Sequence, residues 1–290
     1  MKRLSLLVAL AVVASACGGR TDTTPRTTVS LPDAQSVTAD KAATREDVYK
    51  ALSQAPELPL RVVQVGADGV STTSVFLSDG SFEVTYNRPN TVPGAISKSQ
   101  VIDGSSVVAI VAADGGAIRW ISWDDVAATW REAVNNAVPE KYRTELTDAY
   151  SEGALENLRM TRVKSTLAAG AEPLDGDAVL ECLEEEAEAS QNQNGSWTLA
   201  CERLATSVTV WLDTTGRVSR LDYKGVGSTS STMTWGAAVE STELTRIETL
   251  NPKASKQDID ALRRAFEQSA KATADELARI DERASEQTGG

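Results

Sequence analysis

The chain has 290 residues, of which 41 are acidic and 29 basic, giving a formal net charge of −12. Such a surface repels nucleic acid and anionic lipid headgroups rather than seeking them. There is no histidine at all, which removes the commonest general base, proton shuttle and metal ligand together.

Lys2 and Arg3 precede an almost wholly apolar run from Leu4 to Val13, closed by the small residues Ala14, Ser15 and Ala16. Basic, then apolar, then small is the order of a secretory signal peptide. The run is too short for a transmembrane helix, which needs about 20 apolar residues. An ordinary signal has no use for a cysteine at its end, whereas VASACG (Val13–Gly18) reads as a lipobox. Cys17 would then take a diacylglyceryl group and further acylation such as palmitate. The alternative is a plain secreted protein with a chance cysteine. Acyl chains contribute about 0.8 kcal/mol per buried methylene, so two of them hold a protein firmly on a membrane. Residues 1–17 are therefore expected to be a lipoprotein signal, placing the protein on the extracytoplasmic face of the cell membrane. Residues 18–43, rich in Thr, Ser, Pro and Asp with no apolar period, are expected to be a disordered tether.

Thr44 offers an N-cap, with Asp47 three residues on and Val48 and Leu52 on one helical face before Pro56. From Leu60 the apolar period changes to two. Leu60 to Val65, Val75 to Leu77, Phe82 to Tyr86, Val107 to Val111 and Ile118 to Trp123 read as strands. Asp-Gly turns at Asp68, Asp79, Asp103 and Asp114 make them antiparallel hairpins. Asp124 and Asp125 start a helix with Val126, Trp130, Val134 and Ala137 in one stripe, and Pro139 starts another with Tyr142, Leu146 and Ala149. These two helices need a partner for their stripes and are expected to lie across the sheet. Strand signals resume at Leu158 to Leu167 and from Ala178. They continue at Ser196 to Leu204, Ser207 to Leu212, Val218 to Tyr223, Thr232 to Trp235 and Leu244 to Thr249. Ser255 caps a last long helix with Ile259, Leu262, Phe266, Leu277 and Ile280 on its apolar face.

The stretch VTVWLDTTGRV (Val208–Val218), followed by TMTWG (Thr232–Gly236), together with the lipobox and the strands–helices–strands order, resembles the LppX/LprG group of mycobacterial-type envelope lipoproteins. That group is similar to the LolA-type lipoprotein carriers. The resemblance spans roughly Thr44 to Leu250. It implies an α+β fold: a curved antiparallel half-barrel sheet with helices across its concave face, occupying residues 44–252. The C-terminal amphipathic helix and tail, 253–290, and the charged run Glu181 to Glu188 stand outside the pattern. The implied activity is binding or carrying a lipid or other hydrophobic ligand between sheet and helices, without catalysis or cofactor. The competing expectation is an interaction or structural module with a filled core, offering its last helix to an envelope protein.

No nucleophile arrangement, dinucleotide loop or calcium-type carboxylate spacing stands out, so no catalytic, cofactor or metal residue is assigned. With Cys17 lipidated, Cys182 and Cys201 remain as a pair in an oxidising compartment. Without a C-x-x-C spacing they are expected to be a structural disulfide. Alternation puts Val208, Val210 and Leu212 on one face of their strand and Thr209, Trp211 and Asp213 on the other. The aliphatic face is assigned to the helix-covered side, so Val208, Val210 and Leu212 are candidate ligand-lining residues. Trp120 and Trp130, where sheet becomes helix, are either core or cavity wall.

The lipobox generates a direct test. Cys17→Ser should leave unprocessed or released protein in membrane fractionation, and a variant that still partitions as an acylated mature form contradicts lipidation at Cys17.

Overall fold

A computed structural model describes residues 43–53, 58–66, 69–88, 92–147, 150, 182, 187–202, 205–224 and 228–288. The signal, the tether and the strand signals at 158–167 and 178 lie outside the described residues. The fold is α+β. Among the described residues, eleven strands belong to one unclosed antiparallel sheet, and the chain divides into two compact units. Among the described residues, no helix is long and apolar enough to cross a membrane.

One unit holds a helix, α1 (Arg45–Ser53), and strands β1 (Leu60–Gly66), β2 (Ser71–Phe76) and β3 (Phe82–Asn87). Later in the chain it adds β7 (Glu188–Gln191), β8 (Trp197–Cys201), β9 (Thr206–Leu212), β10 (Val218–Lys224), β11 (Ser228–Trp235) and the single turn α4 (Ala237–Glu240). Its strands run in the order β3-β2-β1-β11-β10-β9-β8-β7, so the first and last strand blocks meet where β1 pairs with β11. The α1 cap forms as its sequence predicts: the Thr44 hydroxyl and amide both donate to Asp47 Oδ2 at 2.8 Å, and the Asp47 amide donates back to Thr44 Oγ1.

The other unit holds β4 (Ile96–Ile102), β5 (Ser105–Val111) and β6 (Ile118–Ser122), the helices α2 (Trp123–Ala137) and α3 (Glu140–Thr147), the turn α5 (Ile247–Leu250) and the long helix α6 (Lys256–Thr288). Of strand β4 the sequence marks only the end, Ile102 before the Asp103-Gly104 turn, because its period is broken. Ser97 is an extra residue between Ile96 and Lys98 in the pairing with β5, and buried positions fall at Ile96, Ser99 and Gln100. The Ser122 hydroxyl caps α2 by accepting from the Asp125 amide. Helix α2 buries Trp123, Val126, Thr129, Trp130, Ala133 and Val134 and packs on α6, β5 and β6.

The expected strand at Leu244 to Thr249 is instead an extended lead into α5. The reason is the buried Gln100 side chain. Its amide donates to the Thr245 carbonyl at 2.9 Å, and its oxygen accepts from the Ile247 amide at 3.0 Å. Those backbone groups are thereby taken by a side chain. Just beyond, Trp120 in β6 donates to the Pro252 carbonyl and accepts from the Ala254 amide, a parallel bridge along that edge strand.

Ser255 caps α6 as expected, and Asp258 does more than close the cap. One Asp258 oxygen takes the Ser255 amide and hydroxyl, while the other takes the Ala113 amide at 2.8 Å. Burial pushes the Asp258 carboxyl upward, but these donors and Arg119 at 3.9 Å outweigh it, and its pKa is lowered. Leu262 and Phe266 are buried as predicted, alongside the small residues Ala261, Ser269, Ala270, Thr273 and Ala274. Ile259 and Leu277 are half-buried.

Close approach is set by Gly94. It sits at φ +81°, and a Cβ there would clash with the Ala261 carbonyl in α6. Gly104 at φ +75° has open space around it. Gly104→Ala should cost about 1–2 kcal/mol, the left-handed backbone term alone. Gly94→Ala should cost clearly more and loosen α6. Denaturant titration of the two variants checks this, and equal losses contradict a packing role for Gly94.

Candidate functional site

Register defines the site. Across the eight-stranded part, Leu60 faces Phe76 and Trp235, Val62 faces Ser74 and Met233, and Phe76 faces Phe82. Leu221 faces Val210 and Ser231, Tyr223 faces Val208, and Leu199 faces Val208 from the other side. Directly opposed residues share a face, so these side chains form one continuous surface, and nearly all are buried. Val208 and Val210, both 0 % exposed, lie at its centre, with Leu212 half-buried against the same cluster.

A bulge keeps this surface consistent. Between β9 and β10 the pairing runs Leu212–Val218 and then Trp211–Arg220, leaving Ser219 as the extra residue. Its hydroxyl donates to the Trp211 carbonyl at 3.2 Å. Without it, Val218 and Leu221, three apart, would point to opposite faces. With it, Val218, Leu221 and Tyr223 are all buried in one cluster. The extra residue lies in β10, so the alternation of β9 stands: Val208 and Val210 are buried, Thr209 and Trp211 half-buried.

The opposite face is polar across β8–β11. Arg220 donates twice to Asp222, each at 2.9 Å, and its guanidinium lies over the Trp211 ring. Ser230 also donates to Asp222, and Thr198 and Thr209 hydroxyls meet at 3.3 Å. Asp213 sits in the hairpin turn. Burial raises its carboxyl, but donation from Thr215 and Arg217 prevails and lowers it.

Helix α1 lies on the apolar face. Val48 and Leu52 are buried in the same cluster as Val208, Val210 and Leu221, with Tyr49 and Ala51 packed beside them. Tyr49 and Arg45 both donate to the Ala187 carbonyl, at 3.3 and 3.4 Å.

Three donors on this face have no partner among the described residues: Thr206 Oγ1, Tyr223 Oη and Trp197 Nε1. Tyr223 is 2 % exposed and Thr206 5 %. Burial pushes the Tyr223 phenol above its ordinary value, so it stays a neutral donor. Each buried polar group left unpaired costs about 1–3 kcal/mol. Sequence reasoning missed all three, since Thr206 and Trp197 sit at strand starts and the Ser219 bulge hides the alternation of Tyr223. Trp235, by contrast, has its donor satisfied by the Val218 carbonyl.

Trp120 and Trp130 belong to the other unit. Trp120 packs against Val107, Ala109 and Ile247, with the Lys253 ammonium over its ring. Trp130, fully buried, packs tilted against Tyr150 and edge-to-face with Phe266, and donates to the Leu146 carbonyl at 2.7 Å. Among the described residues, no group of three or more carboxylate or thiol side chains is placed to hold a metal ion. Comparison with protein families and with curated proteins finds no match.

Cys182 and Cys201 lie at disulfide distance, Cα atoms 6.1 Å apart, both buried. Cys201 is directly opposite Thr206, so the cross-link borders the apolar face. The turn at Asn192–Gly195 folds β7 onto β8. With 19 residues of separation, the bond should stabilise by about 3 kcal/mol in the chain-entropy model. Reduction should shift the unfolding midpoint accordingly, and two titratable thiols in denatured, unreduced protein contradict the bond.

Proposed function

We propose that this is an envelope lipoprotein, anchored through Cys17, that holds a lipid or other hydrophobic ligand against the face bearing Val208 and Val210. The fold assigned is the LolA-like half-barrel, and no bond is made or broken. The observation that supports this reading is the division of the sheet. One face is a continuous apolar surface from Phe82 through Leu60 and Met233 to Leu199, and the other carries Thr, Arg and Asp across β8–β11, with Val63, Val65 and Val75 in β1 and β2. Contact with that surface would stabilise a ligand by about 25 cal/mol per Å² of apolar area removed from water.

Entry requires α1 to lift, because Val48 and Leu52 sit directly on the cluster. Nine residues are too few for a helix to be stable alone, so α1 depends on that contact, and a ligand that replaces it competes on equal chemistry. The complete burial of Val208 and Val210 favours a second reading, a filled core on a protein that works by contact with an envelope partner.

Native mass spectrometry of protein purified from its own host separates the two. Ligand binding predicts a lipid mass increment that falls in Val210→Trp, while that variant stays folded, and persists in Trp211→Ala. Unladen protein throughout supports the filled-core reading.

A further inference from the structure

Resting on the ligand-binding reading, we propose that Thr206 Oγ1 and Tyr223 Oη are the polar anchor of the site, and that they select a neutral acyl ester by donating to its carbonyl oxygen. Tyr223 is directly opposite Val208, and Thr206 precedes Val208 by two residues on the same strand. The two are therefore diagonal neighbours on one face, about 7–8 Å apart at the backbone, within reach of a tyrosine side chain. Both are more than nine-tenths buried, and neither hydroxyl has a partner among the described residues. Trp197, opposite Val210, adds a third unpartnered donor on the β8 side of the same surface.

The chemistry of the surface narrows what answers these donors. An acceptor oxygen is required, joined to a hydrocarbon that covers Val208, Val210 and Leu221. Among the described residues of this unit no Lys, Arg, Asp or Glu is buried, and Arg45 is held at the rim by the Ala187 carbonyl. A carboxylate or phosphate would be buried there without a counter-charge, at heavy desolvation cost. An ester carbonyl is neutral, accepts two hydrogen bonds and is attached directly to an acyl chain. The disulfide at Cys201 holds the end of β8 beside Thr206 and fixes that donor's place.

The test uses two ligands that differ only in the carbonyl, a monoacylglycerol and the 1-O-alkyl glycerol ether with the same number of chain carbons. Each is titrated calorimetrically into delipidated full-length protein. Wild type should bind the ester about tenfold tighter than the ether, the effect of one or two net hydrogen bonds. Tyr223→Phe and Thr206→Val should shrink that preference to about twofold or less by weakening the ester alone, and Thr206→Ser should retain it. Circular dichroism confirms that each variant is folded. If both ligands bind but Tyr223→Phe and Thr206→Val keep the full ester preference, the anchor assignment is overturned and ligand binding stands. If neither ligand binds wild type, the ligand-binding reading fails and takes the anchor with it.

Discussion

Everything in the β1–β3 and β7–β11 unit depends on keeping one sheet face apolar across eight strands. The side-chain period of a strand is two, so a one-residue slip in any pairing would carry a whole strand's apolar set to water. The sequence of β10, Val218-Ser-Arg-Leu-Asp-Tyr, violates that period unless one residue is absorbed. The bulge at Ser219 absorbs it, and the Ser219 hydroxyl caps the Trp211 carbonyl that the irregularity would otherwise disturb. Val208, Val210, Leu221, Tyr223 and Met233 then meet in one surface. Their burial stabilises the fold by about 1.5–3 kcal/mol per large side chain, and the same surface is what a hydrophobic ligand would use.

In the β4–β6 unit the organising contacts are polar side chains that grip backbone. Gln100 holds both sides of the lead into α5, and Asp258 joins the start of α6 to the Ala112–Ala113 turn. These bonds fix where α6 begins, and Gly94 lets its backbone come close. The aromatic group of Trp130, Tyr150 and Phe266 then fills the space against α2.

Regular patterning made much of this legible. Strands joined by Asp-Gly turns, the Thr44–Asp47 and Ser255 caps, and the Val126–Trp130–Val134 stripe are local signals with local causes. The alternation at Val208–Leu212 was legible for the same reason. Strand β4 was legible only at its end, because its bulge at Ser97 erases the period. The Leu244–Thr249 stretch misled because its backbone partners come from Gln100, some 145 residues earlier. Of the site, the aliphatic positions could be read, but the donors could not. An unpartnered Thr206 or Tyr223 hydroxyl is a property of what surrounds it, and nothing in the neighbouring sequence announces that.

Under the proposed function, ligand sits on the Val208–Val210 face. Intermolecular NOEs between a bound acyl chain and ¹³C-labelled valine methyls test it most directly. Ligand on this face gives NOEs to Val208 and Val210 and none to Val63 and Val65, which lie on the other face of the sheet in β1. NOEs confined to Val63 and Val65, or spread evenly over both faces, would contradict it.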